Sequence, residues 1–146
     1  MKPFTMSEHA ACSPGRAWEV LMDMSKAPRW RALTRRMELI GDGPVRVGSR
    51  YRLEMEVQGK RITRESEVVE YDPPRHITLH SAKDGLFAWF DYRVEPEGDG
   101  TRITLAIRLA TDRFWPRLVL PLIARGERAV RAEQLGKLKR VIEESA

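Results

Sequence analysis

The stretch from Asp112 to Ser145 constrains this chain most, because no other segment is long and periodic enough for a major helix. Asp112 suits an N-cap, and Pro116 suits the first turn, where a missing N–H costs little. Leu118, Leu122, Ala129, Ala132, Leu135, Leu138 and Ile142 follow at helical steps, while Arg128, Arg131, Lys137, Lys139 and Arg140 fall largely on other faces. Pro121 removes a backbone donor, which predicts a kink or a delayed start. Gly126 and Gly136 each cost about 1 kcal/mol against alanine in a helix interior. Together with the alanines they give the helix a thin face, suited either to close packing against a sheet or to leaving room for a ligand.

Everything before this helix reads as two short helices and a series of strands. Phe4 to Ala10 is a first strand, with Phe4, Met6, Glu8 and Ala10 on one face. Ser13 before Pro14 starts a helix with Ala17, Trp18, Leu21 and Met22 in its apolar stripe, and Lys26 to Leu33 is a second short helix around Trp30. Strands follow at Met37 to Ile40, Gly48 to Val57, Arg61 to Tyr71, Arg75 to Ala82, Leu86 to Glu95 and Thr101 to Leu109. The links are short turns such as Gln58-Gly59 and Lys83-Asp84-Gly85, so the sheet is antiparallel. Shared alternation puts Tyr51, Leu53, Met55, Ile77, Leu79, Phe90, Tyr92, Ile103, Leu105 and Ile107 on one apolar, concave side. The order is therefore strand, two helices, six strands and a long helix, an α+β chain whose sheet must wrap around that helix to bury anything.

Composition narrows the function classes. The 146 residues suit a single domain spanning 1–146, and 42% hydrophobic with 32% charged residues is ordinary for a soluble protein. No apolar run reaches the roughly 18 residues of a membrane span, so no integral membrane segment is expected. Cys12 has no second cysteine to pair with, which fits a reducing cytoplasm, and no His or Asn partner implies a nucleophile. The net charge of +5 raises the question of nucleic acid, but the densest basic run, Arg29, Arg31, Arg35 and Arg36, is broken by Trp30, Ala32, Leu33 and Thr34. It reads as solvated basic surface, and no nucleic-acid partner is expected.

Local features occur in a set order: Ser13-Pro14 followed by Trp18 through Asp23, Pro28 with Trp30, and Gly48-Ser49 opening a strand. Glu67-Val68-Val69-Glu70 before Asp72-Pro73-Pro74, Gly98-Asp99-Gly100-Thr101-Arg102, and Leu135 with Leu138-Lys139 complete the set. These features resemble the SRPBCC superfamily, which holds START lipid-transfer domains, Bet v 1-like proteins and the polyketide cyclase/dehydrase group, and they are most similar to that last group. The resemblance spans almost the whole chain and rests on order and spacing rather than one motif. It implies the helix-grip fold: about seven curved antiparallel strands around a long C-terminal helix, with a deep cavity between them. It implies no single chemistry, since members bind lipids, hormones or polyketides and some catalyse cyclisation or dehydration.

Candidate site residues come from strand phase. Placing Glu65 and Glu67 outward, opposite Arg50 and Arg52, turns Arg64 inward, and Glu8 is inward with Phe4 and Met6. Buried charges need partners, so Arg64 and Glu8 pair with each other, contact a ligand, or are turned outward by local bulges. Trp30, Tyr51, Phe90 and Tyr92 are the aromatic candidates for the cavity wall, with Leu53, Met55 and Ile107 beside them, and Phe114 and Trp115 at its mouth. Trp18 is assigned to the core. His76 and His80 are in phase on the polar face and His9 is on the polar side of its strand, so no metal site and no cofactor is expected. The leading expectation is binding or carriage of a small hydrophobic ligand. A cyclase- or dehydratase-like enzyme using Arg64, Glu8 or Tyr92 is the second, with no catalytic residue assigned. The third is an interaction module, because Phe114 to Ala124 is apolar on all sides and either closes the cavity mouth or docks on a partner, a membrane or a second copy in a homodimer.

Overall fold

The computed structural model describes residues 3–144, with the side chains of residues 115–117 outside that description. The elements are β1 (Phe4–Ala10), α1 (Pro14–Met22), one turn of 3-10 helix (Met24–Lys26), α2 (Ala27–Trp30), β2 (Thr34–Ile40), β3 (Arg50–Val57), β4 (Lys60–Asp72), β5 (His76–Lys83), β6 (Leu86–Glu97), β7 (Gly100–Thr111) and α3 (Phe114–Glu144). The seven strands make one antiparallel sheet in the order β1-β7-β6-β5-β4-β3-β2, the topology of a helix-grip fold.

Local chemistry sets the boundaries. The Ser13 hydroxyl accepts from the Arg16 amide and caps α1, with Pro14 in its first turn. Asp23 accepts from the Ser25 amide and starts the 3-10 turn in the same way. The second helix is shorter than expected. It ends at Trp30, because Arg31 is extended and Leu33 takes a left-handed φ of 60°. That early stop turns Arg31 away from the helical path.

The inward residues of β3 to β7 are largely those expected from alternation. Tyr51, Ile77, Leu79, Tyr92, Ile103, Leu105 and Ile107 are buried, with Leu53, Met55 and Phe90 half-buried in the same layer. A bulge between Val68 and Glu70 changes the phase of β4 and pairs Tyr71 with inward Ile77. Tyr71 thus leaves the polar face, where strict alternation puts it, and its ring lies 6.2 Å from that of Trp18. On the outer face His76 is not free in solvent. It is held between Thr78 and Asp91 and is 13% exposed. His80 stacks on Trp89 at 4.6 Å, and the Arg108 guanidinium covers the same indole.

The helix α3 lies across β1 and β7 and over α1 and α2. Its buried face is Leu120, Gln134, Leu135, Leu138, Val141 and Ile142. The apolar stripe read from sequence holds only from Leu135 onward. Leu118 and Leu122 are 60% and 69% exposed, and Ala129 and Ala132 are exposed too. At 3.6 residues per turn, the buried C-terminal face continues backward through Arg131, Glu127 and Ile123 to Leu120. Polar residues on that path hid it from an apolar pattern.

Candidate functional site

Between the concave side of the sheet and the N-terminal half of α3 lies a cavity of about 410 Å³. Its floor comes from β3 and β4 (Leu53, Met55, Ile62, Arg64, Ser66) and from β5 to β7 (Leu79, Ala88, Phe90, Tyr92, Leu109). Its lid is Ile123, Glu127, Val130 and Arg131 of α3, and Arg31 to Thr34 close one side. The wall is mostly apolar, as a small-molecule site requires, with a few placed polar groups.

Those polar groups are unevenly distributed. At the Tyr92 end, Gln134 is buried and donates from Nε2 to the Tyr92 hydroxyl at 2.8 Å. Its Oε1 accepts from the Ala32 amide at 2.9 Å and from Arg131 Nη1 at 2.7 Å. Arg131 also donates from Nε to Glu127 at 2.9 Å and lies 4.7 Å over the Phe90 ring. Arg31 sits 4.4 Å over the Trp30 ring and 5.5 Å from the centre of the Tyr92 ring. Burial pushes the Arg31 guanidinium below its ordinary pKa, opposed by the Tyr92 oxygen and reinforced by Arg131. Burial likewise pushes the Tyr51 hydroxyl above its ordinary value.

The register sets the other end. Arg64 faces Leu53 on β3, and it lies past the last β4–β5 pair, Glu67 with His80, on the side away from the Tyr71–Ile77–Tyr92 row. Arg64 lines the cavity without an ion pair among the described residues.

Of the expected wall residues, Leu53, Met55, Arg64, Phe90 and Tyr92 are in the wall. Trp30, Tyr51 and Ile107 are 1%, 1% and 0% exposed and form the packed layer behind it. Glu8 is elsewhere: it pairs in register with Ile103, and its carboxylate lies 4.0 Å from Lys139. An Arg64–Glu8 pair is ruled out by topology, since β7, β6 and β5 separate β1 from β4. Phe114 is 75% exposed, and the Trp115 side chain lies outside the described residues. Neither Gly126 nor Gly136 borders the cavity, and a Cβ added at either meets nothing, so close packing does not require them. Sequence reading missed Arg31, Arg131 and Gln134. The one available signal for Arg31 was its place directly after the buried Trp30.

Among the described residues, no group of three His, Cys, Asp or Glu side chains is placed to hold a metal, and no helix is long and apolar enough to cross a membrane. The Cys12 thiol is pushed above its ordinary pKa by burial, against the nearby Arg16, which disfavours a nucleophilic thiolate.

The profile of the polyketide cyclase/dehydrase and lipid transport family matches residues 1–143. No curated protein matches the chain. Among solved structures, TTHA0849 from Thermus thermophilus superposes with a TM-score of 0.78 at 16% identity, covering 99% of each chain. The Zhui aromatase/cyclase from Streptomyces sp. R1128 gives 0.78 at 18% identity over 97% of this chain and 93% of that one. The di-domain aromatase/cyclase BexL from the BE-7585A biosynthetic pathway gives 0.80 at 17% identity over 98% of this chain and 47% of its own. At these identities the likeness is one of fold.

Proposed function

We propose that this chain, which belongs to the polyketide cyclase/dehydrase and lipid transport family, takes a small hydrophobic molecule into the cavity between its sheet and α3 and carries it there. The observation that carries the reading is the cavity itself: about 410 Å³ of mostly apolar wall under a helix that does not fill it. A polar active site open to water would need more hydrophilic lining than Leu53, Met55, Ile62, Leu79, Ala88, Phe90, Leu109 and Ile123 provide. Native mass spectrometry of the purified protein tests it. A co-purified mass that departs on gentle activation is expected, and an empty protein that also takes up no added hydrophobic probe rejects the reading.

An enzymatic reading of the cyclase or dehydratase kind keeps one specific support. The Tyr92 hydroxyl accepts from Gln134, so its own hydrogen is available to polarise a carbonyl, and Arg64 lines the same cavity. Glu8 has no part in it. The interaction reading keeps the outward ridge of Phe114, Leu118 and Leu122, spaced at four-residue steps on one side of α3. A second copy of the chain seated on that ridge would raise the mass in concentrated solution, which analytical ultracentrifugation measures.

A further inference from the structure

Arg29, Arg31, Arg35 and Arg36 look equivalent in sequence, yet the fold treats one of them differently. Arg29 pairs with Glu144, Arg35 with Glu56, and Arg36 with Glu38. All three pairs are substantially exposed. Arg31 has no carboxylate within ion-pair reach among the described residues, and its Nε is sealed from solvent without a hydrogen-bond partner. A half-buried guanidinium whose Nε is cut off from water, with no acid beside it, is costly unless something else supplies the countercharge.

The surroundings decide what that must be. Arg31, Arg131 and Tyr92 meet at one end of the cavity, and all three present N–H or O–H donors. The acceptors nearby are already engaged: Gln134 Oε1 takes two hydrogen bonds, the Glu127 carboxylate takes Arg131, and the Tyr92 oxygen takes Gln134 and is the one neutral partner of Arg31 among the described residues. Across the whole cavity Arg31, Arg64, Lys83 and Arg131 stand against the single carboxylate of Glu127. A neutral hydrocarbon placed here would leave the Arg31 Nε–H and the excess positive charge unanswered. An anionic oxygen would answer them, and guanidinium binds such oxygens with forked, charge-assisted hydrogen bonds.

We infer that the ligand is an amphiphilic anion, its apolar body along the sheet and its acidic head seated on Arg31 at the Tyr92–Gln134 end of the cavity, rather than on Arg64 at the opposite end. This rests on the ligand-binding reading above and adds the chemistry and orientation of the ligand.

Matched probes separate the two. Decanoate and decan-1-ol share a chain and differ in the charged head, and isothermal titration calorimetry gives the affinity of each for the whole chain. The wild type is expected to prefer decanoate. Arg31→Met should weaken decanoate by roughly tenfold to a hundredfold, the worth of a hydrogen bond to a charged group, while decan-1-ol holds within about twofold. Arg64→Met should leave the preference in place. An equal affinity of the wild type for both probes, a preference that survives Arg31→Met, or one that Arg64→Met abolishes overturns the inference and leaves ligand binding standing. Binding of neither probe overturns both. If Arg31→Met does not fold, the nitrogen NMR signal of Arg31 Nε–H in the wild type decides. It should shift with decanoate and stay with decan-1-ol, and equal behaviour with the two probes refutes the assignment.

Discussion

In the last turns of α3, Leu135, Leu138, Val141 and Ile142 are 2%, 0%, 4% and 0% exposed, whereas in its first turns Phe114, Leu118 and Leu122 are 75%, 60% and 69% exposed. The N-terminal half is the richer in apolar residues, yet the C-terminal half is the one that buries them. The C-terminal half anchors the helix against the sheet and the short helices, and the N-terminal half spans the cavity, touching it through Ile123, Glu127, Val130 and Arg131. Such a division leaves a cavity without sacrificing the fold, because the hydrophobic driving force is concentrated at one end.

The two halves should differ most at Leu138 and Leu122. Leu138→Ala should destabilise by about 2–5 kcal/mol in urea unfolding, as a buried leucine does, while Leu122→Ala stays within about 0.5 kcal/mol. Comparable losses at both sites would mean that the halves are not distinct. Gln134 lies where they meet, and Gln134→Leu leaves the Ala32 amide and an Arg131 donor without their acceptor. A loss of about 1–3 kcal/mol is expected, with the same unfolding measurement reporting it. In the N-terminal half, Gly126 has open space where a Cβ would go, so Gly126→Ala should gain about 0.5–1 kcal/mol through the backbone entropy of the unfolded chain. A destabilisation there would reveal a packing demand that the fold does not display.

The smallest effect is expected at Arg64. With Glu8 facing Lys139 instead, Arg64→Met strands no carboxylate, and its melting stability should change by no more than about 0.5 kcal/mol. Combined with Glu8→Gln, the two changes should add within about 0.3–0.5 kcal/mol, and a larger coupling would place the residues closer than the sheet order allows.

Most of the fold was legible because strand alternation is a strong local signal and the turns carry their own chemistry. Tyr51, Ile77, Tyr92 and Leu105 fell inward as their phase required. Errors arose where a nonlocal feature intervened. The bulge at Val68–Glu70 inverted Tyr71, and the early end of α2 at Trp30 redirected Arg31. The site was less legible than the fold. Its wall belongs partly to a polar face of α3, with Glu127 and Arg131 lining it and Gln134 bonded to Arg131 behind them, which periodicity assigns to solvent because it weighs hydrophobicity and not what lies opposite. Glu8 failed for a related reason: phase tells which face a residue is on, while strand order tells whether it reaches the cavity.

Whether the space under α3 receives an apolar molecule is tested most directly by filling it. Ala88 projects from β6 into the cavity wall beside Leu79 and Leu109. Fluorescence titration with the neutral probe N-phenyl-1-naphthylamine should show saturable, one-to-one binding to the wild type. In Ala88→Trp, with circular dichroism verifying the fold, the affinity should drop by about tenfold or more, since the indole takes the volume the probe needs. Equal affinity in wild type and Ala88→Trp would place the probe elsewhere and contradict the account.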